Sequence, residues 1–529
     1  MGSSLWVTSN HDKGENLPAI STLLFMVFTL LWFFWIWKKP NRNPTPPLPP
    51  GPRGLPLLGY LPFLGTNLHL EFADMARVYG PIYKLQLGTK LWIVVSSPEL
   101  VKQVVRDHDT TFSNRDPTVA ALIASYGATD IAFGSYGSDW RKLRKVFVGL
   151  VLSKTNLDNC YALRKEEMHK SISQIYHDKI GTPTDLGGFA FSTAINTILR
   201  MLWGATPQGE KGSDYGKQYR KVMAEMVYLL GKPNISDYFP ALARFDIQGI
   251  ERQAKKVQSE IDKILTCAIE ERMKKLASGE NGGVQQKHER KDFLQLLLES
   301  NNSHEDGSTS VRVQQLKGML ADIVVGGTDT NATTVEWVLT ELMQHPEEMI
   351  RVQEELTQIV GLNNLVEEFH LPKLRHLDAV IKETFRLHPA LPLLVPRRSS
   401  QPTTIGRYYI PKGSTVFLNA WAIHRDPSVW DDPLEFRPQR FLNPSNSFDY
   451  QGNKFQFLPF GSGRRVCAGI NLAERMLIYA LASFLHSFEW KLPNDEKLDL
   501  SDKFGIVTKK STPLIAVPTP RLSNLELYA

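Results

Sequence analysis

The sequence predicts a mainly α (α+β) fold: one large helical domain with small β-sheets, preceded by a single N-terminal transmembrane helix. Three observations predict it. An uncharged run of 21 residues, Leu17–Trp37, lies near the start of the chain. Helical periodicity dominates from about residue 98 to 390. Short β-like stretches flank that region, at Ile82–Ser96 and Leu393–Asn419. A chain of 529 residues, 42% of them apolar, is long enough to bury a sizeable core. The net charge is +6, and no compact Lys/Arg stripe is interleaved with aromatics, so no nucleic-acid partner is expected. The three cysteines, Cys160, Cys267 and Cys467, match neither a disulfide framework nor a zinc site. Their sparse, odd count favours a reducing compartment.

At roughly 1.5 Å rise per residue, the run Leu17–Trp37 reaches about 30 Å, one hydrocarbon thickness. It ends in Trp32, Trp35 and Trp37, which suit a membrane interface, and Lys38, Lys39 and Arg42 follow. A basic flank after the span predicts a lumenal segment at 1–16 and a cytosolic remainder. A buried core helix is the alternative. Residues 38–56 are basic and proline-rich, which reads as a stiff, extended hinge. Residues 57–529 read as one domain. Within it, Ile82–Leu87 and Trp92–Ser96 should pair as a hairpin across Gly88-Thr89-Lys90. Polar gaps near Ser278–Lys287 and Asn301–Ser310 read as exposed loops. Pro411-Lys412-Gly413 marks a turn, Asp426–Pro444 is irregular, and a helix should follow Cys467 to about Trp490.

The most informative segment is Phe460-Gly461-Ser462-Gly463-Arg464-Arg465-Val466-Cys467-Ala468-Gly469. It fits F-x-x-G-x-R-x-C-x-G at every specified position. A chance match in a chain of this length is on the order of one in ten thousand at average residue frequencies. Gly463 and Gly469 would let the backbone pass close to a flat macrocycle. A cysteine before an apolar helix sits where N–H groups stabilise a thiolate. The segment resembles the haem-binding loop of the cytochrome P450 superfamily, and the anchor, proline hinge and later motifs resemble its plant microsomal members. The stretches LHLEFADMARVYGPIYKL, VVGGTDT and GKPNISDYFPALARFDIQG are similar to a plant family that oxidises terpenoids and flavonoids. The resemblance implies the cytochrome P450 fold, with haem b (iron protoporphyrin IX) held by Cys467 as axial ligand to the iron. A thiolate ligand pushes electron density onto the metal and favours O–O cleavage. Cys160 and Cys267 read as inert.

Met319–Met343 reads MLADIVVGGTDTNATTVEWVLTELM, an apolar helix interrupted by Gly326-Gly327. Each mid-helix glycine costs roughly 1 kcal/mol relative to alanine, which suggests close approach of something else. Dioxygen and substrate would need such room. Two protons must reach dioxygen before its O–O bond splits, and a hydroxyl beside a carboxylate can relay them. By resemblance Thr330 is the relay hydroxyl and Asp329 its acidic neighbour. Asn331 departs from the family pattern, standing where a second hydroxyl is usual.

Haem propionates need cationic donors, and bidentate arginine suits them best. Trp140 and Arg144 lie four apart and share a helix face. The resemblance assigns them to propionate, with Arg115, Arg397 and Arg465. It also implies a structural network of Glu383, Arg386 and Arg440, drawn from Glu383-Thr384-Phe385-Arg386 and Phe436-Arg437-Pro438-Gln439-Arg440-Phe441. The implied pocket walls are Pro117–Phe133, Val324 and Val325, Ala390–Val395 (with Leu394 and Val395) and Phe504–Val507 (with Ile506). They are mostly apolar and suit a rigid, lipophilic substrate.

The expected activity is therefore a monooxygenase that inserts one atom of O2 into a lipophilic plant metabolite. A terpenoid such as a sesquiterpene is the main reading and flavonoid hydroxylation the alternative. A haem-thiolate hydroperoxide lyase or isomerase is a further rival. No Gly-rich nucleotide loop follows a strand, so electrons should come from NADPH through a separate flavoprotein reductase. A small b-type cytochrome is a candidate second donor. Arg141, Lys142 and Lys145 form a candidate docking face for the reductase, with a plain solvated face as the alternative. The expected location is the endoplasmic reticulum membrane, crossed once, with the catalytic domain in the cytosol.

Overall fold

Burial alternates from Tyr83 to Leu87 and is continuous from Trp92 to Val95 in the first β-structure. Ile82–Leu87 (β1) and Lys90–Val95 (β2) pair antiparallel from Ile82↔Val95 to Leu87↔Lys90. The turn is Gly88-Thr89, one residue shorter than the spacing predicts, because Gly88 takes φ +55 and lets Lys90 enter the ladder. Three short strands complete this sheet: Asn114–Arg115 (β3), Arg397–Arg398 (β4) and Thr415–Leu418 (β5), in the order β1-β2-β5-β4-β3. The β2–β5 pairing is parallel and the others antiparallel. This sheet therefore joins residues from about 80 to 420 along the chain and places Arg115 opposite Arg397.

The computed structural model describes residues 16–37, 46–204, 213–278, 291–302, 311–443, 448–493 and 497–529. Residues 1–15 of the expected lumenal segment 1–16, the basic flank Lys38, Lys39 and Arg42, and nearly all of both polar gaps lie outside the described residues. Helix α1 spans Asn16–Trp37, and its described side chains, Ser21–Phe34, are all exposed. Among the described residues no helix is long and apolar enough to cross a membrane.

The helices that place the site are Ser138–Val146 (α2), Tyr161–Lys179 (α3), Leu186–Trp203 (α4), Ile250–Ser278 (α5), Val313–Gly327 (α6), Asp329–Gln344 (α7), Arg375–Leu387 (α8) and Ile470–Ser487 (α9). Every residue from Asn331 to Leu342 is buried, so α7 runs through the interior and is apolar or hydrogen-bonded on all faces. One core packs α3, α4, α7, α8 and α9 around Val335, Leu339, Val380 and Leu481. A second packs α4, α5 and α6 around Ile198, Leu265 and Leu320. Helix α9 stops at Ser487, short of the expected Trp490, because Phe488–Lys491 leaves the helix as a strand beside Ile515–Pro520.

The single apolar helix the sequence suggests between Met319 and Met343 is two. Thr328, at φ −96 and ψ −71, separates α6 from α7. The two glycines there do different things. A Cβ on Gly327 would lie 2.6 Å from the Ile198 Cδ1 of α4, so this glycine admits a neighbouring helix. A Cβ on Gly326 would meet nothing within 4 Å. That position faces open space.

Candidate active site

The cysteine loop is held by its own backbone. The Cys467 N–H donates to the Phe460 carbonyl at 2.9 Å, and the Val466 N–H donates to Gly463 at 3.0 Å. Gly469, directly before α9, donates its N–H to Cys467 Sγ at 3.3 Å. The sulfur is open on one side, although protein crowds it elsewhere. Burial pushes the thiol up, opposed by the Gly469 N–H and by the Arg144 guanidinium. Those two groups favour the thiolate. Gly463 has a different reason from the one its place in the motif suggests. Its φ is +67, and a Cβ there would lie 2.5 Å from the carbonyl oxygen of Val105. It is the loop's seat on a neighbouring helical turn. Gly463→Ala is expected to lower the Tm of the enzyme by several degrees, read by following haem absorbance on heating, because left-handed strain and a backbone clash add.

Around the loop, Arg464 pairs with Asp109 at 2.6 Å, while four other arginines end on carbonyls. Arg465 donates to the carbonyls of Ser113 (2.6 Å), Ile131 (3.1 Å) and Gly134. Arg115 donates to Val395 at 2.5 Å and to Pro396 and Ala132 at 3.2 Å. Arg144 reaches the Val466 carbonyl at 2.6 Å, and Arg397 the Ser462 carbonyl at 2.6 Å. Trp140 donates its Nε1–H to Ile131 at 3.0 Å, and its ring lies 4.1 Å from the Arg465 guanidinium. Burial, then the neighbouring guanidiniums, pull Arg465 down to about 9 and Arg115 well below its usual range; burial pulls Arg397 down to about 10. Nη1 of Arg397 is buried with no hydrogen-bond partner. Four crowded guanidiniums that end on neutral carbonyls, one with an orphaned donor, fit a group that brings two carboxylates. Haem is such a group, and Cys467 beside it offers the sulfur its iron takes.

On the other side, the Thr330 hydroxyl donates to the Gly326 carbonyl at 2.6 Å, a carbonyl at the helix break. Asp329 accepts from Lys509 Nζ at 2.7 Å, a partner the sequence did not disclose. Asn331 is buried and donates to the Gly327 carbonyl at 2.7 Å, so the departure from the motif leaves no polar atom stranded there. Val324, Val325 and Ala468 of the cysteine loop belong to one extended apolar cluster. A Cβ on Gly461 of the loop would lie 3.7 Å from the Leu394 Cδ1, so Leu394 stands beside the loop, and its neighbour Val395 supplies the carbonyl that Arg115 uses. A Cβ on Gly231 would lie 3.7 Å from the Ile506 Cγ1.

Behind the loop, Glu383, Arg386 and Arg440 meet. Arg386 grips Glu383 with two bonds of 2.7 Å, and Arg440 Nε donates to the same carboxylate at 3.1 Å. The remaining donors of Arg386 go to the carbonyls of His424, Pro433 and Glu435. Glu383 and Arg386 are fully buried. Gln439, the neighbour of Arg440, stays out of the network and donates to Glu348 at 2.8 Å.

Sequence reading missed Asp130, Asp322 and Lys509. Asp322 had a signal: a carboxylate inside the apolar run of Met319–Val325 must be answered by something.

Comparison with known proteins agrees with this geometry. The family described as Cytochrome P450 matches residues 49–517. A flavonoid 3'-monooxygenase of Crocosmia x crocosmiiflora is 36% identical over 513 residues, 96% of this chain and 98% of that protein. A flavonoid 3',5'-hydroxylase of Solanum melongena is 37% identical over 479 residues, 90% of this chain and 91% of that protein. A zebrafish cytochrome P450 solved with progesterone superposes with TM-score 0.72 at 26% identity, covering 85% of this chain and 99% of that one. Family match, whole-length relatives and shared fold agree: the chain belongs to the cytochrome P450 family and is one of its haem-thiolate monooxygenases, drawing NADPH electrons through a reductase.

Proposed function

We propose that this enzyme hydroxylates a flat, weakly polar plant phenolic of the flavonoid type. The observation that carries the reading is the relatives: flavonoid hydroxylases match this chain along nearly its whole length. They favour flavonoid over the terpenoid that the sequence alone suggested. The apolar side chains at Val324, Val325 and Leu394 support a lipophilic substrate of either kind. The deciding experiment adds flavanones, flavones and sesquiterpenes to microsomes holding the enzyme and records substrate-induced difference spectra, followed by product analysis. A shift and a hydroxylated product with flavonoids are expected. Turnover of sesquiterpenes alone would reverse the assignment.

Haem held by the Cys467 thiolate supplies oxygen activation and insertion of one oxygen atom into a C–H bond. The chain's own part is to hold and feed that chemistry. Arg115, Arg144, Arg397 and Arg465 would neutralise the propionates, and Trp140 would help orient them. Thr330, poised on the Gly326 carbonyl, passes protons towards the open space at Gly326. Asp329, held by half-exposed Lys509, is the link to solvent. Thr330→Ala is expected to raise peroxide released per NADPH by about tenfold or more while the carbon monoxide spectrum persists. Unchanged coupling would remove the relay role.

The uncharged run Leu17–Trp37 in the sequence, followed by Lys38, Lys39 and Arg42, supports a membrane anchor, with the catalytic domain on the cytosolic side of the endoplasmic reticulum. Arg141 and Lys145 are exposed on α2, which supports this face as the reductase dock. Charge neutralisation at Arg141, Lys142 and Lys145 should slow reduction at low salt and flatten its salt dependence.

A further inference from the structure

Two carboxylates that no motif covers face each other across the active site's wall. Asp130 belongs to the segment after Val119–Ala124, and Asp322 to α6, one turn before Gly326. Asp130 accepts from the N–H groups of Phe133 (2.8 Å) and Gly134 (3.0 Å). Asp322 accepts from the N–H of Ile131 at 2.9 Å. The charge of Asp130 acts on Asp322, so the two carboxyls are neighbours, and a bond between two carboxyls needs one proton. Contact is close: a Cβ on Gly318 of α6 would lie 3.2 Å from the Asp130 Cβ. The same short segment presents its carbonyls the other way. Ile131 serves Trp140 and Arg465, Ala132 serves Arg115, and Gly134 serves Arg465. Its Ile131 N–H is thus fixed to α6 on the oxygen side of the site, and its carbonyls to the arginine cluster.

We propose that Asp130 and Asp322 are positioning residues: a proton-sharing carboxyl pair that pins segment 130–134 to α6 and so sets the distance between the arginine cluster and the oxygen-activation helix. The alternative, two independent carboxylates, would put like charges in contact inside protein. Asp130 is buried, and Asp322 keeps some exposed surface although protein crowds it. Burial raises both, Asp130 to about 6, and the charge of Asp130 raises Asp322 further. The other charged groups facing Asp130 are Arg115 from β3 and Arg465 from the cysteine loop. On the α5 side, Lys317 pairs with Asp262 and so is engaged elsewhere. The arginines favour ionisation of one carboxyl of the two, and the other keeps the proton.

The pH consequence follows in sign. A carboxyl raised in the closed segment binds its proton more tightly there than when the segment opens. The closed form is therefore favoured below the ordinary carboxylate range and loses that advantage as pH rises towards the raised value. Opening should gain about tenfold per pH unit within that window.

The test is hydrogen exchange of the peptide covering residues 128–136 in the full-length holoenzyme, corrected for intrinsic exchange, between about pH 5 and about pH 8. Wild-type protection should fall at least about tenfold across the range. Asp322→Asn keeps an acceptor for Ile131 and a donor for Asp130, so its protection should be flat with pH and close to the wild-type acidic value. Asp322→Ala should be unprotected throughout. The haem absorbance of each variant verifies that it is loaded. A pH-independent wild type, an Asn variant as open as the Ala variant, or an Ala variant as protected as wild type would each overturn the proposal.

Discussion

Cys467→Ser is expected to eliminate the carbon monoxide difference band typical of sulfur-ligated haem and to lower hydroxylation at least about a thousandfold, about 4 kcal/mol of activation free energy. Serine is nearly the same size, so the loop has no reason to collapse. Its shape rests on the Cys467 N–H to Phe460 and on Gly463 seated against Val105, neither of which uses the sulfur. The side chain gives up only the Gly469 N–H at 3.3 Å, which a hydroxyl accepts. Structure and chemistry should therefore separate. Circular dichroism and thermal unfolding of the haem-free chain are expected to match wild type while the spectrum and turnover do not. A serine variant that kept the sulfur-type band would place the axial ligand elsewhere.

Glu383→Gln is expected to prevent accumulation of folded, haem-loaded protein. The glutamine fills the same volume but leaves Arg386, fully buried, and Arg440, nearly so, without their shared counter-charge. Breaking a buried pair by neutralising one partner costs about 3–5 kcal/mol. A whole domain is stable by only about 5–15 kcal/mol. The loss should also reach further than one pair, since Glu383 accepts from the Arg437 N–H at 2.8 Å and Arg386 binds three carbonyls of the segment 424–435. Expression yield, Tm and the ratio of haem to protein absorbance report it. Normal yield and Tm would show that the network is dispensable.

Much of the site was legible because its chemistry is local in sequence. The loop from Phe460 to Gly469 carries its own candidate ligand, glycines and helix start, and Glu383 sits three residues from Arg386 on one helix face. Periodicity likewise disclosed the helical body. What it could not disclose was long-range pairing. Lys509 reaches Asp329 across 180 residues, and Ile131 meets Asp322 across 191. Nor does composition separate Gly326, which faces open space, from Gly327, which admits Ile198. That difference belongs to the packing of α4 on α6. The break at Thr328 escaped for a related reason: the apolar pattern runs through it, and only the backbone angles interrupt it.

Leu394 has a bearing on any attempt to retune selectivity. It holds φ +51, a left-handed conformation that costs a bulky residue about 1–2 kcal/mol, and its N–H bonds back to Leu391 at 3.1 Å. The next carbonyl, Val395, is the one that Arg115 takes. A smaller residue here would do more than enlarge a cavity. Glycine would relieve the stored distortion and free the main chain to swing, carrying the Arg115 anchor with it. Engineering at this wall is thus a question of chain direction before side-chain size, and libraries at 394 should be judged on cofactor retention as well as on regiochemistry.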